Sequence, residues 1–353
     1  MSPAGGFGPA SSRGRVTLKS IAQEAKVSTA LVSNIMNGKG RASPEVRQRV
    51  ADLLEQHGLE PRAHRNPVIF LESARESPTQ FFRALQLDIL TGVASVFSEQ
   101  RMQLHLEFQP RFTPESIRRL IARKPAGFIV LTGGPTHILA TRMALKHKIP
   151  LIQVGYDTEI GQANAAVIDS YHGTRRAVET LIARGKRRIG LIRWRCNTNS
   201  DKKFHGYLHA LQNAGLPHDE TLVVEAVDSR RALPEGELIA LDALARLLRQ
   251  TRDNPLDALF IENGFISPPL FYPLAMKFEL PPIPVVHFED IPFDDVIHII
   301  SGMLGYPLPQ AMRLHVDWRQ LGVAAATLMV QILADRNTPQ PQTIRIEPAL
   351  TSL

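Results

Sequence analysis

Two short helical stretches joined by a turn, within residues 17–36 (TLKSIAQEAKVSTALVSNIM), constrain this chain more than any other feature. Leu18, Ile21, Ala22 and Ala25 fall at helical spacing behind Thr17, a capping hydroxyl. Lys26 and Val27 make the turn. Ser28 caps a second helix, whose inward stripe is Val32, Ile35 and Met36. Thr29, Ala30, Ser33 and Asn34 are left facing out. All four are short, so the helix backbone can sit deep in a groove. This shape places a helix in the major groove of DNA. An ordinary helix pair in a small core shows the same pattern.

The next segment narrows the choice. Ser43-Pro44-Glu45 combines a capping hydroxyl, a proline at the first helical position and an acid at the positive helix end. Val46, Val50, Leu53 and Leu54 supply its apolar face, and Gly58 suits the stop. From Arg13 to Asn66 there are ten Lys or Arg against five Asp or Glu. A basic three-helix bundle is the electrostatic footprint of a duplex-binding module. The whole chain carries a formal charge of +7 over 353 residues, which also favours a polyanionic partner. Its one cysteine, Cys196, excludes an internal disulfide and fits a reducing cytoplasm. Residues 1–14 are Gly-, Pro-, Ala- and Ser-rich and predict a disordered tail. No apolar run suits a signal peptide or reaches membrane-spanning length.

The Val27-Ser28, Val32-Ser33, Asn37 spacing and the following S-P-E-V-R-Q-R-V resemble the headpiece of the lactose-repressor/galactose-repressor family. The likeness runs on through a two-lobed sensor domain and covers nearly the whole length. It implies a headpiece over 15–60, a linker over 61–67 and a sensor and dimerisation domain over 68–353. That domain should have two lobes, with breaks near 160 and near 290. The family's linker commonly carries a leucine that wedges into the minor groove. Here Glu60 to Pro67 has no leucine, and Pro67 disfavours helix at Asn66. Arg62 and Arg65 can meet phosphates or a narrow minor groove, or simply make a basic tether.

From Val68 onward, short apolar runs alternate with amphipathic stretches. Strands are predicted at 68–71, 103–108, 127–131, 151–154, 165–168, 188–192, 221–224, 258–261 and 284–288. Helices are predicted near 80–99, 114–123, 136–147, 172–184, 200–213, 236–250 and 318–334. That alternation means parallel sheets covered by helices, with ligands beyond the carboxyl ends of the strands. The fold class is therefore an all-α helix-turn-helix headpiece plus an α/β two-lobed domain. The resemblance makes the latter a periplasmic-binding-protein-like sensor, closing on an effector between its lobes.

Enzyme signatures are missing. There is no phosphate-cradling glycine loop, no G-x-S-x-G, no H-E-x-x-H and no paired CxxC. His205 and His209 are four apart on a predicted helix, but no third ligand accompanies them, and no metal or cofactor is expected. Gly133-Gly134 reads as a turn. Asp169 follows a strand and either faces the cleft or caps the next helix. By resemblance, Lys203 stands where the family places a ligand-gripping arginine, as a point charge without the planar fork. The family's Asn-Asp contact appears as Asn263-Gly264, without the acid. Trp194 can stack on a ring or pack in the core. Phe81 matches an element bordering the cleft, and Asp290 a polar cleft or hinge position. These departures make an ordinary sugar effector doubtful.

The expected function is sequence-specific transcription regulation, most simply as a repressor of a metabolic operon under a small-molecule effector. A homodimer would read a palindromic operator in the cytoplasm, with no membrane partner. Thr29, Ala30 and Asn34 would touch base edges. Thr17, Ser28, Ser33, Asn37 and Lys39 would hold the backbone. The apolar 318–334 helix is a candidate dimer face or an ordinary buried helix. Two other readings stay open: an effector-blind regulator of the same ancestry, and a cytoplasmic solute-binding protein.

Overall fold

A computed structural model describes residues 17–36, 42–57, 66–73, 80–132, 134–157, 163–193, 198–226, 233–262, 283–288, 311–335 and 341–352. The predicted tail and most of the linker lie outside them. The chain divides into two compact units, Met1–Pro67 and Val68–Leu353.

In the first unit, α1 (Leu18–Glu24), α2 (Thr29–Met36) and α3 (Pro44–Gln56) form the described bundle. Local chemistry sets each boundary. Thr17 and Ser20 make a reciprocal capping box at the start of α1. Its end closes with Val27 N donating to Ala22 O and Lys26 N to Gln23 O. This is a Schellman turn with Lys26 at φ 55°, where glycine is the usual occupant. Ser43 caps α3 and Pro44 opens it. Ile21, Ala25, Val32, Val50 and Leu54 are wholly buried and form the core. His57 Nε2 meets Glu24 Oε2 at 3.2 Å and ties the end of α3 to α1.

The second unit holds two six-stranded sheets among its described residues. The first runs β11-β5-β4-β3-β1-β2 and is parallel throughout. Its strands are β1 (Val68–Ser73), β2 (Leu104–Gln109), β3 (Gly127–Leu131), β4 (Leu151–Tyr156), β5 (Asn164–Ile168) and β11 (Thr343–Ile346). Helices α4 (Gln80–Glu99), α5 (Pro114–Ala122), α6 (Pro135–Lys146) and α10 (Trp318–Ala334) accompany it. The second sheet runs β12-β10-β9-β8-β6-β7 and is parallel except for the β10–β12 pair. It contains β6 (Ile189–Arg193), β7 (Val223–Glu225), β8 (Ala258–Ile261), β9 (Val285–Phe288), β10 (Ala311–His315) and β12 (Ala349–Ser352). Helices α7 (Ser170–Ala183), α8 (Thr198–Asn213) and α9 (Leu233–Gln250) belong to this lobe.

Among the described residues the chain changes lobes at Asp169, at Val316-Asp317 and at Glu347-Pro348, not near 160 and near 290. Two of the crossings are made by an aspartate that caps the next helix. Asp169 caps α7 through His172 N, and Asp317 caps α10 through Gln320 N. At the third, Arg176 of α7 donates to Pro348 O at 2.6 Å and pairs with Glu347 at 3.1 Å. Strands β10, β11 and β12 were not anticipated from the sequence. They carry no run of apolar residues, and pairing rather than composition makes them strands.

The 318–334 helix is an internal element of the first lobe. Leu321, Ala325, Ala326, Leu328 and Met329 are wholly buried. A Cβ on Gly322 would run into the Ile89 carbonyl, and one on Gly92 into that of Arg319. Two glycines thus let α4 and α10 approach backbone to backbone, and the candidate dimer face is occupied within the chain.

Candidate nucleic-acid interface and lobe sites

Helix α2 separates its two faces cleanly. Val32, Ile35 and Met36 are buried, while Thr29, Ala30 and Asn34 are exposed and Ser33 is half-buried. Leu31 N donates to Ser28 Oγ at 3.1 Å, so the Ser28 hydroxyl caps the helix and keeps its own proton to donate. Thr17 Oγ1 accepts from Ser20 N at 3.3 Å, which makes Thr17 a structural cap as well as a surface hydroxyl. The exposed row carries one carboxamide, one hydroxyl and two methyls, a set able to meet an adenine edge and thymine methyls. Asn37, Lys39, Arg62 and Arg65 lie outside the described residues.

In the second lobe, charged side chains gather at the carboxyl ends of apolar strands. Arg193 ends β6 and is 6 % exposed. Its Nη2 lies 3.0 Å from Asp201, its Nη1 3.3 Å from Glu225 and its Nε 3.6 Å from Glu262. Its guanidinium also covers the Phe204 ring at 4.0 Å. Glu262, just past β8, is 1 % exposed and accepts from Ser200 Oγ at 2.6 Å. Lys203 is buried. Its Nζ donates to the Glu262 carbonyl at 2.6 Å and sits 3.8 Å from the Phe288 ring centre. The expected cleft cation is therefore engaged by its own lobe. Burial of so many charges is tolerable because each meets a partner. Sequence reading missed Arg193, Ser200 and Glu262. The available signal was a charged residue directly after an apolar strand run.

Asp169 takes both of its possible roles at the hinge. Its Oδ1 accepts from His172 N at 3.1 Å, and its Oδ2 meets His172 Nδ1 at 2.8 Å. It also borders a concavity beside the crossing, away from Lys203. Asp157, just past β4, binds Lys202 of α8 at 2.5 Å and Arg345 of β11 at 3.0 Å. The Asp157–Lys202 pair joins the two lobes. Asp157, Lys202 and Arg345 were not singled out from the sequence; they are far apart in the chain and share no motif. Phe81 stands at the start of α4, its side chain outside the description. Trp194, Asn263 and Asp290 lie outside the described residues. His209 Nδ1 contacts the Tyr171 hydroxyl at 2.7 Å rather than pairing with His205. Among the described residues no group of three His, Cys, Asp or Glu could hold a metal, and no helix is long and apolar enough to cross a membrane.

Comparison with known proteins gives a consistent result. The profile of bacterial regulatory proteins of the lacI family matches residues 17–62. That of periplasmic binding proteins and the sugar binding domain of the LacI family matches residues 62–250. The HTH-type transcriptional regulator DegA of Bacillus subtilis is 25% identical over 233 residues, 63% of this chain and 68% of DegA. The HTH-type transcriptional repressor PurR of Actinobacillus pleuropneumoniae serotype 5b is 23% identical over 350 residues, 95% of this chain and 96% of PurR. Among solved structures, the regulator CelR in complex with cellobiose superposes with TM-score 0.59 at 22% identity, covering 96% of this chain and 98% of CelR. The lac repressor dimer bound to operator and the anti-inducer ONPF does so with TM-score 0.61 at 15% identity, covering 96% and 98%. These structures share the two-part fold.

Proposed function

This chain belongs to the lacI family of bacterial regulatory proteins, and from that membership we propose how its headpiece and lobes divide the work of a transcription regulator. Two headpieces of a homodimer read two halves of a palindromic operator, and the dimer represses a metabolic operon in the cytoplasm. The observation that carries this reading is the exposed Thr29, Ala30 and Asn34 row beside the buried Val32, Ile35 and Met36 stripe. Asn34 offers a donor and an acceptor to adenine, and the Thr29 and Ala30 methyls meet thymine. Ser28, Ser33, Thr17, Asn37 and Lys39 hold phosphates and fix register. Arg62 and Arg65 add backbone charge.

Selection of duplexes from random sequence by the purified protein tests the assignment. A dyad-symmetric site should emerge at moderate salt. Asn34→Ala should lose about 1–3 kcal/mol of operator affinity and relax preference at one position per half-site. The fold should be untouched, because the side chain is exposed. An Asn34→Ala protein with full preference removes Asn34 from the readout.

For the sensor domain, an effector in the interlobe cleft is the family's arrangement, and CelR is named with cellobiose. One observation favours a second reading for this chain, an effector-blind regulator. Lys203 is bonded to the Glu262 carbonyl, and the Glu262 carboxylate meets Ser200 and Arg193. A sugar hydroxyl would have to displace these internal partners. Calorimetry with sugars, nucleosides and small acids separates the readings: an effector changes operator affinity only by binding one lobe arrangement better.

A further inference from the structure

Helix α8 has two chemically different faces. Lys203 turns toward β8 and β9, as described. Lys202, His205 and His209 turn toward α7 and the first lobe, where they line a concavity of about 440 Å³. That volume suits a small metabolite. We propose that this hinge-side concavity binds a small oxyanion, a carboxylate or phosphate carried by a metabolite, and that it is separate from the interlobe cleft.

Three observations support the assignment. First, the lining is rich in donors. Lys202 and Arg345 converge on one oxygen, Asp157 Oδ2. Each commits one donor there and retains the rest, two on the ammonium and four on the guanidinium. His205 adds an exposed imidazole. Second, the acceptors are engaged. Asp169 holds the His172 amide and ring, and Asp157 holds the two cations. An acceptor-rich guest complements such a wall. Third, Ser170 lines the concavity at 1 % exposure, and its hydroxyl has no hydrogen-bond partner. A buried hydroxyl without a partner is costly and points to a missing one. Ser170 is also the first residue of α7, whose positive amino end favours an anion.

The site spans the lobes. Asp157 and Arg345 belong to the first, Lys202, His205 and Ser170 to the second. An oxyanion held by Arg345 and Lys202 together would favour one arrangement of the lobes over the other.

Calorimetry and thermal-shift titration of the full chain without DNA test the proposal, with inorganic phosphate, glucose 6-phosphate and acetate as probes. The first two separate free phosphate from an ester, and acetate reports the carboxylate. At least one should bind saturably with a rise in Tm. Arg345→Met, at a half-exposed position, should weaken it at least tenfold. Ser170→Ala should weaken it several-fold while raising the Tm of the unliganded protein, a pair of effects a purely structural serine would not give. Lys203→Met should leave binding intact. No saturable binding by any probe overturns the proposal. So does binding indifferent to Arg345→Met and Ser170→Ala, or binding lost only in Lys203→Met, which would place it in the interlobe cleft. DNA is absent from every arm, so failure here leaves the operator reading standing.

Discussion

Removing the Glu262 carboxylate should destabilise the second lobe by an amount the geometry bounds. Glu262 is 1 % exposed, accepts from Ser200 at 2.6 Å and lies 3.6 Å from Arg193 Nε. Truncating one partner of a buried ion pair costs about 3–5 kcal/mol, because the survivor is left uncompensated. Here the surviving guanidinium keeps Asp201 and Glu225, whose side chains are 55% and 36% exposed. Those half-solvated partners recover part of the loss. The charged hydrogen bond from Ser200, a kind worth about 1.5–3 kcal/mol, is lost outright. Glu262→Ala should therefore cost about 2–4 kcal/mol. Glu262→Gln keeps an acceptor for Ser200 and the main-chain carbonyl for Lys203, and should cost about half as much. Asp201→Ala, at the exposed end of the same network, should cost under about 1 kcal/mol. Urea and thermal unfolding of the full chain, followed by fluorescence and calorimetry so that lobe transitions are resolved, give the ranking. Equal losses for Glu262→Ala and Asp201→Ala would refute the argument that burial sets the cost.

Other perturbations follow the same logic. Lys26→Gly should stabilise the first unit by about 0.5–1 kcal/mol. It removes the left-handed penalty at φ 55°, partly offset by the extra freedom of an unfolded glycine, and a lowered melting point for the headpiece transition would contradict it. Gly322→Ala should lower Tm through a loss of at least about 2 kcal/mol, since its Cβ meets the Ile89 carbonyl and α4 must move away; an unchanged melt would show that the helices are not in backbone contact. His137 gives a pH dependence. Burial lowers its pKa from 6.5, against an opposing hydrogen bond with the Gly134 backbone. On acidification through 6.5 the unfolded chain takes up a proton that the folded chain refuses, so stability present above that pH is lost below it. Melts between pH 7.5 and 5.5 should show this decline, and His137→Gln should flatten it.

The caps, the α2 faces and the strand–helix alternation were legible in the chain because each depends on residues a few positions apart. Thr17, Ser28 and Ser43 act on amides three residues on, and a stripe such as Val32, Ile35 and Met36 needs only helical periodicity. The strands with dense apolar runs, such as Gly127–Leu131 and Ala258–Ile261, were legible for the same reason. Local pattern could not say which sheet a strand joins. Thr343–Ile346 pairs with Asn164–Ile168 across most of the second unit, and Ala349–Ser352, only three residues later, pairs in the other sheet. Nor could it say that the 318–334 helix packs on α4 through two glycines, for an apolar helix face looks alike whether it covers its own lobe or another copy. The lock on Lys203 and the Asp157–Lys202–Arg345 junction came from tertiary packing alone. Charges acquire partners through space, and the distances that decide their burial and pairing exist only once both sheets and their three crossings are in place.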